Sequence, residues 1–84
     1  MEYKVIVKLY VPEIEKTYDV YIPVNQTVAQ VCILLNKMIN EITSNRYPMK
    51  EYMNLSNRRT SQIYEPSAYI RDTDIRNGSQ IVLD

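Results

Sequence analysis

Apolar and polar positions alternate strictly over the first eleven residues. Tyr3, Val5, Val7, Leu9 and Val11 fall on one side, with Lys4, Ile6, Lys8 and Tyr10 on the other. A period of two predicts a strand with one buried face. Pro12 and the charged stretch Glu13 to Lys16 break the pattern as a hairpin connection would. Alternation then resumes, with Tyr18, Val20 and Ile22 set against Thr17, Asp19 and Tyr21. The chain is therefore expected to open with a β-hairpin that ends at Pro23.

From Thr27 the period changes to that of a helix. Val28, Val31, Cys32, Leu35, Met38, Ile39 and Ile42 share one broad stripe at 100° per residue. Thr27 suits the N-cap, because its hydroxyl can accept from a free first-turn amide. Ile33 falls nearly opposite the stripe and Leu34 on its shoulder. The helix should fade around Thr43 to Asn45, before Pro48. Farther on, Tyr52 to Ser56 predicts a strand with Met53 and Leu55 inward. Asn57, Arg58 and Arg59 predict a turn, and Ser61 to Tyr64 a short strand before Pro66. Ile70 and Ile75 are spaced to pin an irregular segment to a core. The chain's one glycine, Gly78, follows Asn77 in a pair suited to a tight turn. Ile81 and Leu83 then alternate with Gln80, Val82 and Asp84 as a terminal strand.

A hairpin, one amphipathic helix and later strands predict an α+β chain of the β-grasp type. It would have a mixed sheet of four to five strands, with the terminal strand central and parallel to the first. Residues 1–84 are read as one domain, which suits the length. Ten basic and ten acidic residues cancel, which argues against a general polyanion binder. No apolar run reaches membrane-spanning length and no secretory leader is visible. The one cysteine, Cys32, cannot form an internal disulfide, so a reducing, cytoplasmic setting is expected.

The residues also carry a family resemblance. Residues 17–27 (TYDVYIPVNQT), followed by Val28, Val31 and Leu35, resemble the second strand and helix start of ubiquitin with the spacing unbroken. Ile70, Asp72 and Ile75, then Ile81 and Leu83, resemble its closing segment. The run from Ile75 to Ile81 (IRNGSQI) is more similar still to the YukD/EsaB family, small bacterial ubiquitin-like proteins associated with type VII secretion in Gram-positive bacteria. That resemblance implies a non-conjugated interaction module, an accessory or regulatory component docking on a secretion subunit that can be membrane-embedded. Ubiquitin-type modifiers and sulfur carriers act through a Gly-Gly tail. The sequence holds no Gly-Gly and stops at Asp84, where the last strand should finish, so conjugation and sulfur transfer are disfavoured.

Candidate chemistry is sparse. The absence of histidine removes the commonest general base near neutral pH. Cys32 lies on the predicted core stripe and reads as packing. Glu13, Glu15 and Asp19 read as solvated hairpin charges, and one glycine cannot build a phosphate loop. No enzymatic activity, metal, cofactor or small-molecule substrate is expected. Surfaces remain. The open sheet face should carry Ile6, Lys8, Tyr10, Thr17, Asp19, Tyr21 and Val82, with Asn54 beside them. Of these, Ile6, Lys8, Tyr10, Tyr21 and Val82 are the candidate protein-binding residues, since apolar and tyrosyl groups rimmed by charge suit such a patch. Tyr3 and Tyr18 read as core or edge residues. A second candidate surface is Ile33 with Leu34. A third is the basic group Arg46, Lys50, Arg58 and Arg59, which would suit an acidic partner or, in a competing reading, a nucleic-acid-binding regulator.

Overall fold

The computed structural model of the protein describes residues 3–84. Strand β1, Lys4–Val11, buries Val5, Val7, Leu9 and Val11, as the alternation requires. It pairs antiparallel with β2, Lys16–Pro23, along its whole length. The connection is a 3-10 turn, Pro12–Ile14, closed where Glu15 enters the left-handed region and its N–H donates to the Pro12 carbonyl. Tyr18 packs half-buried against the core, whereas Tyr3 lies on the surface.

Helix α1, Val28–Ile42, begins with a reciprocal cap. Thr27 Oγ1 accepts from the Gln30 amide (3.2 Å) while Gln30 Oε1 accepts from the Thr27 amide (2.9 Å). The next free amides, of Val28 and Ala29, donate to the carbonyls of Ala68 and Pro66. Val31, Leu35 and Ile39 are fully buried on the stripe, with Cys32 beside them and Met38 packed at its margin. Ile42 departs from expectation and is 54 % exposed. It is the last helical residue, and the chain turns away at once through positive φ at Ser44 and Asn45, so nothing covers it.

The segment after α1 is held by two helix asparagines. Asn36, itself buried, accepts from the Lys50 amide (2.7 Å) and donates to the Pro48 carbonyl (3.1 Å). Asn40, one turn on, donates to the Tyr47 carbonyl (2.9 Å). Together they seat Tyr47 in the core at zero exposure, although its hydroxyl has no hydrogen-bond partner among the described residues.

Strand β3 is shorter and later than the sequence suggested, Leu55–Asn57. Leu55 is fully buried, but Met53 only partly. Asn57 belongs to the strand, and its Oδ1 then anchors the turn by accepting from the amides of Arg59 and Thr60. Ser61 to Tyr64 form no strand: one bridge, Ser56 to Ile63, is all that pairs. The bonds from the Asn57 amide to the Gln62 carbonyl and from the Tyr64 amide to the Leu55 carbonyl flank that bridge, just after Ser61 takes a positive φ. Strand β4, Gln80–Leu83, lies between β1 and β3, parallel to β1 and antiparallel to β3. The four-stranded sheet therefore runs β2-β1-β4-β3, the β-grasp order. Gly78, at φ 87°, turns the chain into β4, and its amide donates to the Ile6 carbonyl. Ile70 and Ile75 are buried, as their spacing implied.

Candidate functional site

One face of the sheet packs on α1 and the other is uncovered. Strand register fixes what the uncovered face displays. Ile6 lies opposite Tyr21, Lys8 opposite both Asp19 and Gln80, and Tyr10 opposite both Thr17 and Val82. Val82 in turn lies opposite Ser56, and Ser56 opposite Ile63. Directly opposed residues share a face. A single row, Thr17, Tyr10, Val82, Ser56 and Ile63, therefore crosses the sheet from edge to edge. All five candidate residues, Ile6, Lys8, Tyr10, Tyr21 and Val82, come together on this face, with Thr17, Asp19 and Asn54.

Their environments differ. Tyr21 and Ile63 stand 68 % and 59 % exposed at opposite sides, while Ile6, Tyr10 and Val82 are half-buried between neighbours. Lys8 Nζ and Asp19 Oδ1 form a 3.1 Å pair, exposed enough to add at most about 1 kcal/mol. The Arg58 guanidinium lies 4.2 Å from the Tyr10 ring centroid. Such stacking presses an arginine plane on an aromatic face and leaves its edge donors for an outside acceptor. Lys8 and Asp19 neutralise each other, whereas Arg58 beside the row has no ion-pair partner among the described residues.

Two further contributors lie outside the residues that alternation places on this face. Ile63 reaches the face because one backbone bridge carries the return arm alongside β3, and no periodicity announces a single bridge. Arg58 falls in the turn that the sequence predicts after Asn57, yet its amide donates to the Gln80 carbonyl, which continues β3's pairing and carries it onto the face. The basic group of Arg46, Lys50, Arg58 and Arg59 is accordingly dispersed. Lys50 pairs with Glu13 and lies over the Tyr47 ring, and Arg46 flanks the helix C-terminus. The hydrogen bond that the Lys50 ammonium donates to Glu13 raises its pKa above the ordinary range. The carboxylates Glu13, Glu15 and Asp19 do not converge either, since Glu13 and Asp19 serve separate ion pairs.

The helix side offers a groove of about 360 Å³ between α1 and residues 49–54, floored by Cys32 and Met53 and edged by Ile33, Met49 and Tyr52. Ile33 is 64 % exposed there, and Leu34 is exposed beside it. Burial pushes the Cys32 thiol up to about 11, so it stays protonated at neutral pH. Tyr64 is pushed up to about 12, first by burial and then by its 2.6 Å hydrogen bond to Asp74. Among the described residues no three thiol or carboxylate groups converge to hold a metal ion. Nor is any helix among them long and apolar enough to cross a membrane.

No family model matches the sequence, and no curated protein matches it significantly. Solved structures match the fold. The ubiquitin-like domain of the Mycobacterium tuberculosis type VII secretion protein ECCD1 superposes with a TM-score of 0.75 at 11% identity, covering 99% of this chain and 98% of that one. A chain of the MycP5-free ESX-5 inner membrane complex superposes at 0.80 with 15% identity; 99% of this chain matches only 21% of that one. A chain of a toluene 4-monooxygenase complex superposes at 0.74 with 15% identity, covering 95% of each. At such identities the likeness shows the fold alone: the chain has a ubiquitin-like β-grasp fold, which these structures put to different uses.

Proposed function

We propose that the protein is a non-conjugated, ubiquitin-like interaction module of the YukD/EsaB kind, an accessory or regulatory component of a type VII secretion system. It works in the cytoplasm and docks a secretion-machine subunit through the open sheet face, with no chemistry of its own. The observation that carries this reading is the row from Tyr10 through Val82 to Ile63, apolar at its centre and flanked by Arg58. Small apolar contacts desolvate the patch, and the guanidinium edge supplies a directed polar contact. The ECCD1 and ESX-5 likenesses support the choice of machine, because a domain of this shape is already built into such assemblies.

The test is a pull-down from detergent extracts of the native host with wild type and Ile6→Asp in parallel, each eluate split and half denatured. Capture of a membrane secretion subunit by wild type alone, lost on denaturation, is the expected result. Equal capture by Ile6→Asp and Tyr21→Ala variants would move the site off this face. Adducts surviving denaturation would establish a modifier instead.

A further inference from the structure

An asparagine side chain is open to attack by the backbone nitrogen of the residue that follows it, and a following glycine leaves that approach unhindered. Asn77 is the one asparagine here that precedes glycine; every other precedes a residue with a side chain. The fold occupies both reacting groups of this pair. Asn77 Oδ1 accepts from the Ile6 amide (2.9 Å), and the Gly78 amide donates to the Ile6 carbonyl (2.8 Å). One residue of β1 thus holds the two groups side by side, each bonded to Ile6 and neither to the other. The turn around them is closed twice. The Ser79 amide donates to the Arg76 carbonyl (3.0 Å), and Ser79 Oγ accepts from the Arg76 amide (2.8 Å). Gly78, at φ 87°, takes the third position of that turn, as its type II geometry requires.

Ring closure needs the Gly78 nitrogen to give up its proton and turn its face onto Asn77 Cγ. A hydrogen-bonded amide is shielded from base, which is also why such amides exchange slowly. Both bonds to Ile6 must therefore break first, and they break together when β4 leaves β1. The register that keeps β4 there is short, Lys8 to Tyr10 against Gln80 to Val82.

We infer that Asn77 is a self-modification site, silent while the β1–β4 junction is closed and reactive in chains where it is open. Hydroxide takes the Gly78 amide proton, and the nitrogen bonds to Asn77 Cγ. The bond from Cγ to Nδ2 breaks, and Nδ2 leaves with a proton from water as ammonia. One water then opens the succinimide at either carbonyl, giving isoaspartate or aspartate. Aspartate keeps an oxygen for the Ile6 amide. Isoaspartate inserts a carbon into the main chain between the two residues, so the Arg76–Ser79 closure and the bonds of Gly78 and Ser79 to β1 cannot all be remade. The mark runs one way: a chain that has spent time open loses the means to close. None of this depends on what the open face binds.

The experiment incubates the whole chain in mildly alkaline buffer, folded and in concentrated urea, and follows deamidation at Asn77 by mass spectrometry of its peptides. Gly78 amide exchange is measured by NMR in parallel. Deamidation of the folded chain should be slower than in urea by on the order of a hundredfold or more, and by the same factor that protects the Gly78 amide. Ile81→Val, a mild loosening of β4, should speed both processes together, by roughly two- to tenfold. Asn77→Gln, whose longer side chain closes a ring far more slowly, should abolish the fast reaction in urea. The purified isoaspartate form should lose exchange protection at Lys8 and Gly78. Equal rates in the folded and unfolded chain, deamidation that does not follow Gly78 exchange, or an isoaspartate form as protected as the original would each overturn the inference.

Discussion

Leu9 and Tyr10 are neighbours in sequence and belong to opposite worlds. Leu9 has zero exposure beneath α1, opposite Tyr18 and Ile81; Tyr10 lies half-buried on the uncovered face beneath Arg58. The same holds for every consecutive pair along β1, because a strand's alternation serves two faces with one backbone. On the α1 side each side chain answers to close packing, where a lost methylene is felt. On the open side the strands are already fixed from behind, so side chains are free to be chosen for an outside partner. A small sheet packed on one helix thus separates folding from recognition within single strands.

That separation can be broken in measurable steps. Leu9→Ala should cost about 2–5 kcal/mol, seen as a lower urea midpoint with little change in slope. A cost below about 1 kcal/mol would mean the core relaxes around Leu9 and the two faces are not distinct. Alkaline pH should destabilise next. Below about pH 7, Cys32, Tyr47 and Tyr64 are protonated in folded and unfolded chains alike, so they contribute no pH dependence. Their folded pKa values are raised, to about 11 for Cys32 and about 12 for Tyr64, and upward for Tyr47. The unfolded chain therefore loses these protons first, the Cys32 thiol before the tyrosines, and stability should fall as pH rises from about 8 toward 12. A Tyr64→Phe and Cys32→Ala chain should show a flatter decline in urea titrations across that window.

Asn36→Ala should cost about 1–3 kcal/mol, since it strands the buried bonds to Lys50 and Pro48 and loosens the seat of Tyr47. Amide exchange should quicken at Tyr47 and Lys50 and leave β1 protected. The smallest effect belongs to the open face. Tyr10→Ala should cost about 1 kcal/mol, the worth of a cross-strand contact and a cation–π pair, while weakening partner capture severely. A loss as large as that at Leu9 would show Tyr10 to be structural.

The alternating strands and the helix stripe made most of this fold legible, because period alone assigns the faces of β1, β2, β4 and α1. Thr27 announced its cap for the same local reason. What escaped was non-local. Tyr47 looks like a loop tyrosine until two helix asparagines pull its segment inward, and Asn36 looks like a misplaced polar residue on an apolar stripe. Ile42 keeps the stripe's period but outruns the surface that would cover it. The five candidate residues could be placed on one face by counting alternation. Ile63 and Arg58 could not, since each arrives there through a particular backbone bond rather than a repeated pattern.

The bond from the Ile6 amide to Asn77 Oδ1 joins residues 71 positions apart. β4, which follows it, fills the slot between β1 and β3. Synthesis at 5–20 residues per second separates the emergence of those two residues by roughly 4–14 s. Throughout that interval β1 presents its inner edge unpaired, although its hairpin and helix already exist as sequence. In a crowded compartment that edge is the chain's most vulnerable moment, and the Asn77–Gly78 turn is the latch that ends it.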